Sequence, residues 1–317
     1  MILVENGQPS DVRQLRYAPA PGAGFGVEVL SFERLRQLDR GGRRTGPQRP
    51  DFHVLALVRS GVGHHAADFV DHPLRAGGVV WIRPGVVHRW TDVDRVDGPL
   101  VLFEPGFLPA WGPAQPAAAD AFAPACWQLD DEAWALSLLA ADHLGREHAA
   151  AVADPRLASP PLLAHLLSAL VLRVLPAGGE HLGGEHLGGE HLGGGHAGAE
   201  RTGNPGHAEQ HEIFRRYQVA VEHRFAEDHQ VTGYARILGY DRRTLTRATR
   251  AATGLGAKQF LDQRILLEAK RLLAHTDLPV ARCAERVGFA DAANFTTFFQ
   301  RQAGLSPSRW RAGHSGR

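Results

Sequence analysis

Four arginines, Arg242, Arg243, Arg247 and Arg250, fall within the eleven residues Arg242 to Ala252, which read as a short helix. A guanidinium is a planar, permanently charged fork of N–H donors that fits the O6 and N7 acceptors of guanine or a phosphate. At helical spacing Leu245, Ala248 and Ala252 turn inward and leave Arg243, Thr246, Arg247 and Arg250 outward. No hydrophobic core requires four arginines. A second short helix, Ala292 to Gln302, presents Ala292, Ala293, Asn294, Thr296 and Thr297, with no charge until Arg301. Asn can bond adenine, and Ala and Thr can touch thymine methyls. The chemistry implied is readout of double-stranded DNA, with guanine contacts concentrated on the first helix. A charged surface on an otherwise inert helical domain is the alternative.

A second group of chemically capable residues lies far upstream: His53, His64, His65, His72 and His88, with Trp81 and Trp90. Neighbouring residues of a strand point to opposite faces, so His64 and His65 cannot both reach one ion without a bulge. No metal set, catalytic set or cofactor motif is assigned. His88 and Trp90 share a strand face, and Trp81 is placed on a neighbouring strand. With His53 and His65 they are candidates for an aromatic-lined ligand cavity with a polar handle; ordinary barrel core is the competing reading.

The elements that must position these residues follow from the pattern. Lys258 to His275 reads as one long helix, with Leu261, Ile265, Ala269, Leu272 and Leu273 on its apolar face and Asp262, Arg264, Glu268, Lys270 and Arg271 mostly elsewhere. It joins two similar units, each a helix, a turn containing Gly and a second helix: Val231 to Leu238 then Arg242 to Ala252, and Val280 to Val287 then Ala292 to Gln302. Asp241 and Asp291 are the N-caps of the two second helices. The doubled motif counts against an inert surface. Glu212 to Glu227 is a further amphipathic helix.

In the N-terminal half, strands are expected at Phe25 to Phe32, Phe52 to Val58, Val79 to Ile82, Val86 to Thr91 and Leu100 to Phe103, with a turn at Arg59 to Gly63. Short strands of this kind favour a small barrel or sandwich. Helices follow at Asp130 to His148 and Pro161 to Leu175. The second is apolar around much of its circumference, which suits either burial in its own domain or a dimer contact through 161–175.

From Pro176 to Ala208 the chain collapses into Gly, His and Glu, with Gly-Gly-Glu-His-Leu repeated from Gly178. That composition predicts a flexible tether between domains at 1–175 and 209–317. Chelation by His181, His186, His191 and His196 is the sharper reading of the same residues, and repeat expansion the plainer one. The net charge of +1 hides an asymmetry: residues 209–317 hold 18 Arg and Lys against 11 Asp and Glu. The basic third is the one with the arginine helix. Cys126 and Cys283 read as reduced filler. No run of 18 apolar residues and no secretory pattern is present, so neither membrane nor export is expected and the cytoplasm is.

Two stretches resemble known families. Leu74-Arg75-Ala76-Gly77-Gly78 through Pro84-Gly85-Val86-Val87-His88 looks like the cupin half-barrel of ligand-sensing regulators, without the His-x-His pair of enzymatic cupins. Leu245-Thr246-Arg247, Gly254, Phe260-Leu261, Gly288-Phe289, Asp291, Phe295, Phe299 and Gly304-Leu305-Ser306-Pro307 resemble the DNA-binding domain of AraC-type transcription regulators. The resemblance implies a two-domain α+β protein: a cupin-like β-barrel with trailing helices, then an all-α domain with two helix-turn-helix units. It implies no enzyme. It also implies promoter DNA, RNA polymerase and a small-molecule effector as partners, and more often activation than repression. Ala248, Ala257, Cys283 and Thr297 depart from the family's usual Phe, Pro, Ile and Arg. The first three bear on packing and the last on readout.

Overall fold

The computed structural model describes residues 12–19, 24–39, 45–109, 112, 114–118, 120, 123–175 and 205–314. The chain divides into two compact units, the first over Met1–Ala118 and Phe122–Leu187 and the second over Ala119–Ala121 and Gly188–Arg317. The tether expected at 176–208, with its four histidines, lies outside the described residues except for 205–208, which begin a helix.

The first unit runs β1 (Arg13–Leu15), β2 (Val27–Ser31), α1 (Phe32–Leu38), β3 (Gln48–Pro50), β4 (His53–Leu57), β5 (Val62–Ala67), β6 (Val70–Arg75), β7 (Gly78–Ile82), β8 (His88–Asp92) and β9 (Pro99–Phe103). It continues through α2 (Gln115–Ala118), β10 (Cys126–Gln128), α3 (Asp131–Ala153) and α4 (Pro160–Val174). The strands form two five-stranded sheets, β1-β3-β8-β5-β6 and β10-β7-β4-β9-β2.

Alternation along each strand assigns the faces. Val54, Ala56, Val80, Ile82, Leu100 and Leu102 share a core with Phe32 of α1 and with Ala67 and Trp90 from the first sheet. Leu55, Leu57, Val79, Trp81, Val101 and Phe103 share a second core with Leu144 of α3 and Leu163, Leu167 and Val171 of α4. The second sheet is thus covered on both faces, which is why His53–Leu57, Gly78–Ile82 and Pro99–Phe103 are buried at every position. β5 is covered on one face and alternates.

Two local expectations are corrected, and the alternatives open to α4 are narrowed. The strand expected through Phe32 stops at Ser31, whose hydroxyl accepts from the Arg34 N–H (3.1 Å) and caps α1. The turn expected through Gly63 ends earlier, because β5 starts at Val62 and pairs with both β6 and β8. The apolar circumference of α4 is spent mostly within its own unit: Leu163, Leu167, Leu170, Val171 and Val174 are buried, while Leu162 and Leu172 are exposed.

The second unit contains α5 (Pro205–Arg224), α6 (Val231–Leu238), α7 (Arg242–Thr253), α8 (Ala257–His275), α9 (Val280–Arg286), α10 (Ala292–Ala303) and α11 (Pro307–His314). Its axis is α8, about 28 Å long at the usual helical rise. The polar face expected on α8 is not left in water. Asp262, Arg264, Glu268 and Arg271 are all buried, because α5, α6, α7, α9, α10 and α11 all pack against this helix. Buried charge is tolerated when paired. Arg264 Nε donates to Glu222 of α5 (2.8 Å), its Nη1 reaches Glu268 (3.4 Å), and Arg271 lies 3.7 Å from the same Glu268. Lys258 pairs with Asp262.

The second helix-turn-helix is pinned to the segment ahead of the first. Gly288 has φ +86°, and a Cβ there would stand 2.1 Å from the Ala226 carbonyl oxygen. Only glycine gives both the conformation and the approach. Beside it His229 Nε2 donates to the Val287 carbonyl (2.8 Å). Both cysteines are free and buried. Among the described residues no helix is long and apolar enough to cross a membrane.

Candidate nucleic-acid interface and barrel interior

α7 and α10 are built to one plan. Asp241 caps α7, accepting from the Thr244 N–H (2.7 Å), and Asp291 caps α10, accepting from the N–H groups of Ala293 (3.0 Å) and Asn294 (3.4 Å). These bonds hold the Asp241 carboxyl below its ordinary pKa range, the Thr244 backbone donor first among the causes. Each helix ends on a glycine in the left-handed region, Gly254 and Gly304, whose N–H groups bond Arg250 and Gln300 at 2.9 Å. Leu245, Ala248 and Thr249 are buried on α7, and Phe295, Phe298 and Phe299 occupy the matching positions of α10.

The outward positions match as well, with opposite chemistry. Arg243 corresponds to Ala293, Arg247 to Thr297 and Arg250 to Gln300, and all six are exposed. Arg242, Arg243, Thr246, Arg247 and Arg250 line, with Asp241, an open concavity of about 890 Å³. No described carboxylate forms an ion pair with any of the four arginines. Four like charges side by side repel one another, and a polyanion relieves that repulsion.

On α10 the threonine hydroxyl protons are committed: Thr296 Oγ1 donates to the Ala292 carbonyl (2.8 Å) and Thr297 Oγ1 to that of Ala293 (3.0 Å). Ala292 and Thr296 are half-buried, while Asn294 and Arg301 are exposed at the edge of the face. Gln300 escaped the sequence reading. The register between the two helices marks it as the partner of Arg250.

The barrel residues are not brought together as expected. Trp81 lies in the second sheet, whereas β8, with His88 and Trp90, is in the first. His53 and Trp81 face α3 and α4: Trp81 Nε1 donates to His53 Nδ1 (3.3 Å), and the His53 ring stacks on Phe103 at 4.5 Å. Only His65, His88 and Trp90 share the space between the sheets. His65 Nε2 and His88 Nδ1 are 3.1 Å apart, so one ring donates to the other. The His65 ring sits 4.4 Å from that of Trp90, and Cys126 Sγ is 3.9 Å from His65 Nδ1.

A register shift does occur between His64 and His65, yet the two still diverge. His65 is fully buried and His64 is exposed beside Asp71. Burial drives the ring pKa values down: His53 to about 3, His88 to about 4, and His65 well below its ordinary value with His88 adding to the effect. All three are neutral near pH 7. His88 Nε2 is buried without a hydrogen-bond partner. Among the described residues no three His, Cys, Asp or Glu side chains converge on a metal-sized gap.

A capped helix on a helix-turn-helix scaffold, repeated once, with arginines that have no ion-pair partner among the described residues on its first copy, defines a DNA-binding regulator. Residues 234–313 match the helix-turn-helix domain family and residues 30–170 match the AraC-like ligand binding domain family. The chain belongs to the AraC-type family of transcription regulators, with a β-rich ligand-binding domain ahead of a helical DNA-binding domain.

It is 37% identical over 93 residues to the HTH-type transcriptional activator RhaS of Enterobacter sp. (strain 638), covering 29% of this chain and 34% of that protein. To the RhaS activator of Escherichia fergusonii it is 26% identical over 267 residues, 83% of this chain and 86% of that one. ToxT of Vibrio cholerae O395 superposes at a TM-score of 0.35 and 9% identity, over 92% of this chain and 99% of that structure.

Proposed function

We propose that this protein activates transcription by binding promoter DNA through α7 and α10, under the control of a small neutral molecule taken up by the N-terminal barrel. Residues 1–175 form the sensing unit and 209–317 the DNA-binding unit. The observation that carries the DNA reading is the row of unpaired arginines on the outward face of α7. Arg243 and Arg247 address guanine in one major-groove half-site, Thr246 and Arg250 border that contact, and Arg242 and Arg301 serve phosphates. Asn294, Thr296 and Thr297 face the other half-site.

The effector reading is supported by His88 Nε2, a buried acceptor or donor without a partner. Neutral His65 and His88 leave no fixed charge in that interior and favour an uncharged ligand. A regulator of this kind works in the cytoplasm, contacts RNA polymerase, pairs with a second copy through 161–175, and performs no catalysis.

The test is selection of genomic fragments by the full-length protein at about 150 mM salt, beside an Arg243→Ala, Arg247→Ala double variant. Retention of a few promoter fragments by the wild type alone is the expected result. Uniform retention that fades with salt would reduce the reading to phosphate binding.

A further inference from the structure

The face of α10 presents methyl groups where α7 presents guanidinium forks, and this asymmetry has a chemical consequence for the bases it meets. Ala293 and Thr297 stand at the positions of Arg243 and Arg247 on a helix that is likewise capped by an aspartate. Ala293 has no polar side-chain atom. Thr297 has spent its hydroxyl proton on the Ala293 carbonyl, and the neighbouring Thr296 has spent its own on Ala292, so each oxygen is left only as an acceptor. The Asp291 carboxylate has taken the first free N–H groups of the helix, so the helix end is closed to phosphate. A base edge approaching Ala293 and Thr297 therefore meets methyl groups and no free hydrogen-bond donor.

In the major groove the apolar feature of a base pair is the C5 methyl of thymine. Thymine and 5-methylcytosine carry that methyl at the same place. They differ in the group beside it, an O4 acceptor against an N4 amino donor, and only a hydrogen-bonding side chain tells these apart. α7 has such donors at its centre, whereas at the centre of α10 Ala293 and Thr297 offer no free donor to select O4 over the N4 amino group, Asn294 and Gln300 lying to either side.

We propose that α10 reads C5 methyl groups on pyrimidines: thymine is the base recognised in its half-site, and cytosine methylated at C5 is accepted in thymine's place. The inference rests on the reading of α7 and α10 as the DNA-contacting helices. Asn294 and Arg301 at the edge of the face hold the helix in register. Cytosine methylation then tunes promoter occupancy through one half-site while the guanine-reading half stays indifferent to it.

The test uses the full-length protein and a promoter duplex recovered by the genomic selection, titrated by fluorescence anisotropy at about 150 mM salt. Each thymine in the α10 half-site is replaced in turn by uracil, cytosine and 5-methylcytosine. Burying one methyl corresponds to about three- to fivefold in affinity, so uracil at the contacted position should weaken binding by roughly that factor. Cytosine should weaken it at least as much, and 5-methylcytosine should restore affinity to within about twofold of thymine.

An Ala293→Ser, Thr297→Ser double variant, checked for native helicity by circular dichroism, should shrink the thymine-to-uracil ratio below about twofold. Equal binding of thymine and uracil at every position, a half-site without thymine, or no gain from methylating cytosine would overturn the proposal. Failure of the DNA-binding reading is distinguishable: a scrambled duplex of equal length would bind as well as the recovered one.

Discussion

α7 and α10 share caps, length, terminating glycine and the burial rhythm of their inward faces, and differ in what they show to solvent. One helix is arginine at three outward positions and the other is alanine, threonine and glutamine at the matching three. The comparison separates two jobs that a sequence motif runs together. Inward residues and caps decide that a helix stands in the recognition position, and outward residues decide what it recognises. The inward faces also differ in bulk, Leu245, Ala248 and Thr249 against three phenylalanines. The aromatic trio is joined by Phe289, whose ring lies 5.5 Å from Phe295 and 5.1 Å from Phe298. α7 leans instead on α5, whose Tyr217 donates to the Ala257 carbonyl at the start of α8 (2.8 Å).

The most severe way to break the comparison is from the inside. Phe295→Ala should cost about 3–5 kcal/mol and Leu245→Ala about 2–5 kcal/mol in urea unfolding of the full chain. A negligible cost at either site would show that the two helices are not held by equivalent cores.

Acid perturbs the other unit and leaves this comparison intact, since neither α7 nor α10 contains histidine. His88 has a folded pKa of about 4 against an unfolded value near 6.5, so the unfolded state binds the extra proton between them. Stability from this group is complete above about pH 6.5 and falls as the pH drops toward about 4, by roughly 3 kcal/mol in all. Urea midpoints measured across that range should show the decline. A flat profile would mean that His88 is not held neutral.

Outward substitutions then sharpen the contrast. Arg243→Ala should lower the preference for the recovered promoter over a scrambled duplex by roughly ten- to a hundredfold, the discrimination expected of one bidentate guanine contact. Thr297→Ala keeps a methyl carbon on the face and should change affinity by less than about threefold. Equal effects of the two in parallel anisotropy titrations would end the idea of divided labour.

The helix-turn-helix half was legible because its signals are local: Asp241 and Asp291 at caps, Gly254 and Gly304 at ends, and leucines and phenylalanines at helical spacing. What was not legible depended on long-range pairing. The charges of α8 read as an exposed face, since a sequence does not reveal that Glu222 comes across to meet Arg264. His53 and Trp81 seemed fit to join His65, His88 and Trp90, but strand order put β7 and β8 in different sheets. The strand expected through Phe32 rested on the apolar run before it, and the cap that ends it at Ser31 is a single hydroxyl contact with the Arg34 N–H.

The plan shared by α7 and α10 has an evolutionary side. The side chains of Ala293, Thr297 and Gln300 touch neither cap nor core, so substitutions there are close to neutral for folding. If the two helices contact DNA as proposed, single codon changes on α10 would give a lineage new promoters while α7 keeps its hold on the old ones, with no stage at which the protein fails to fold.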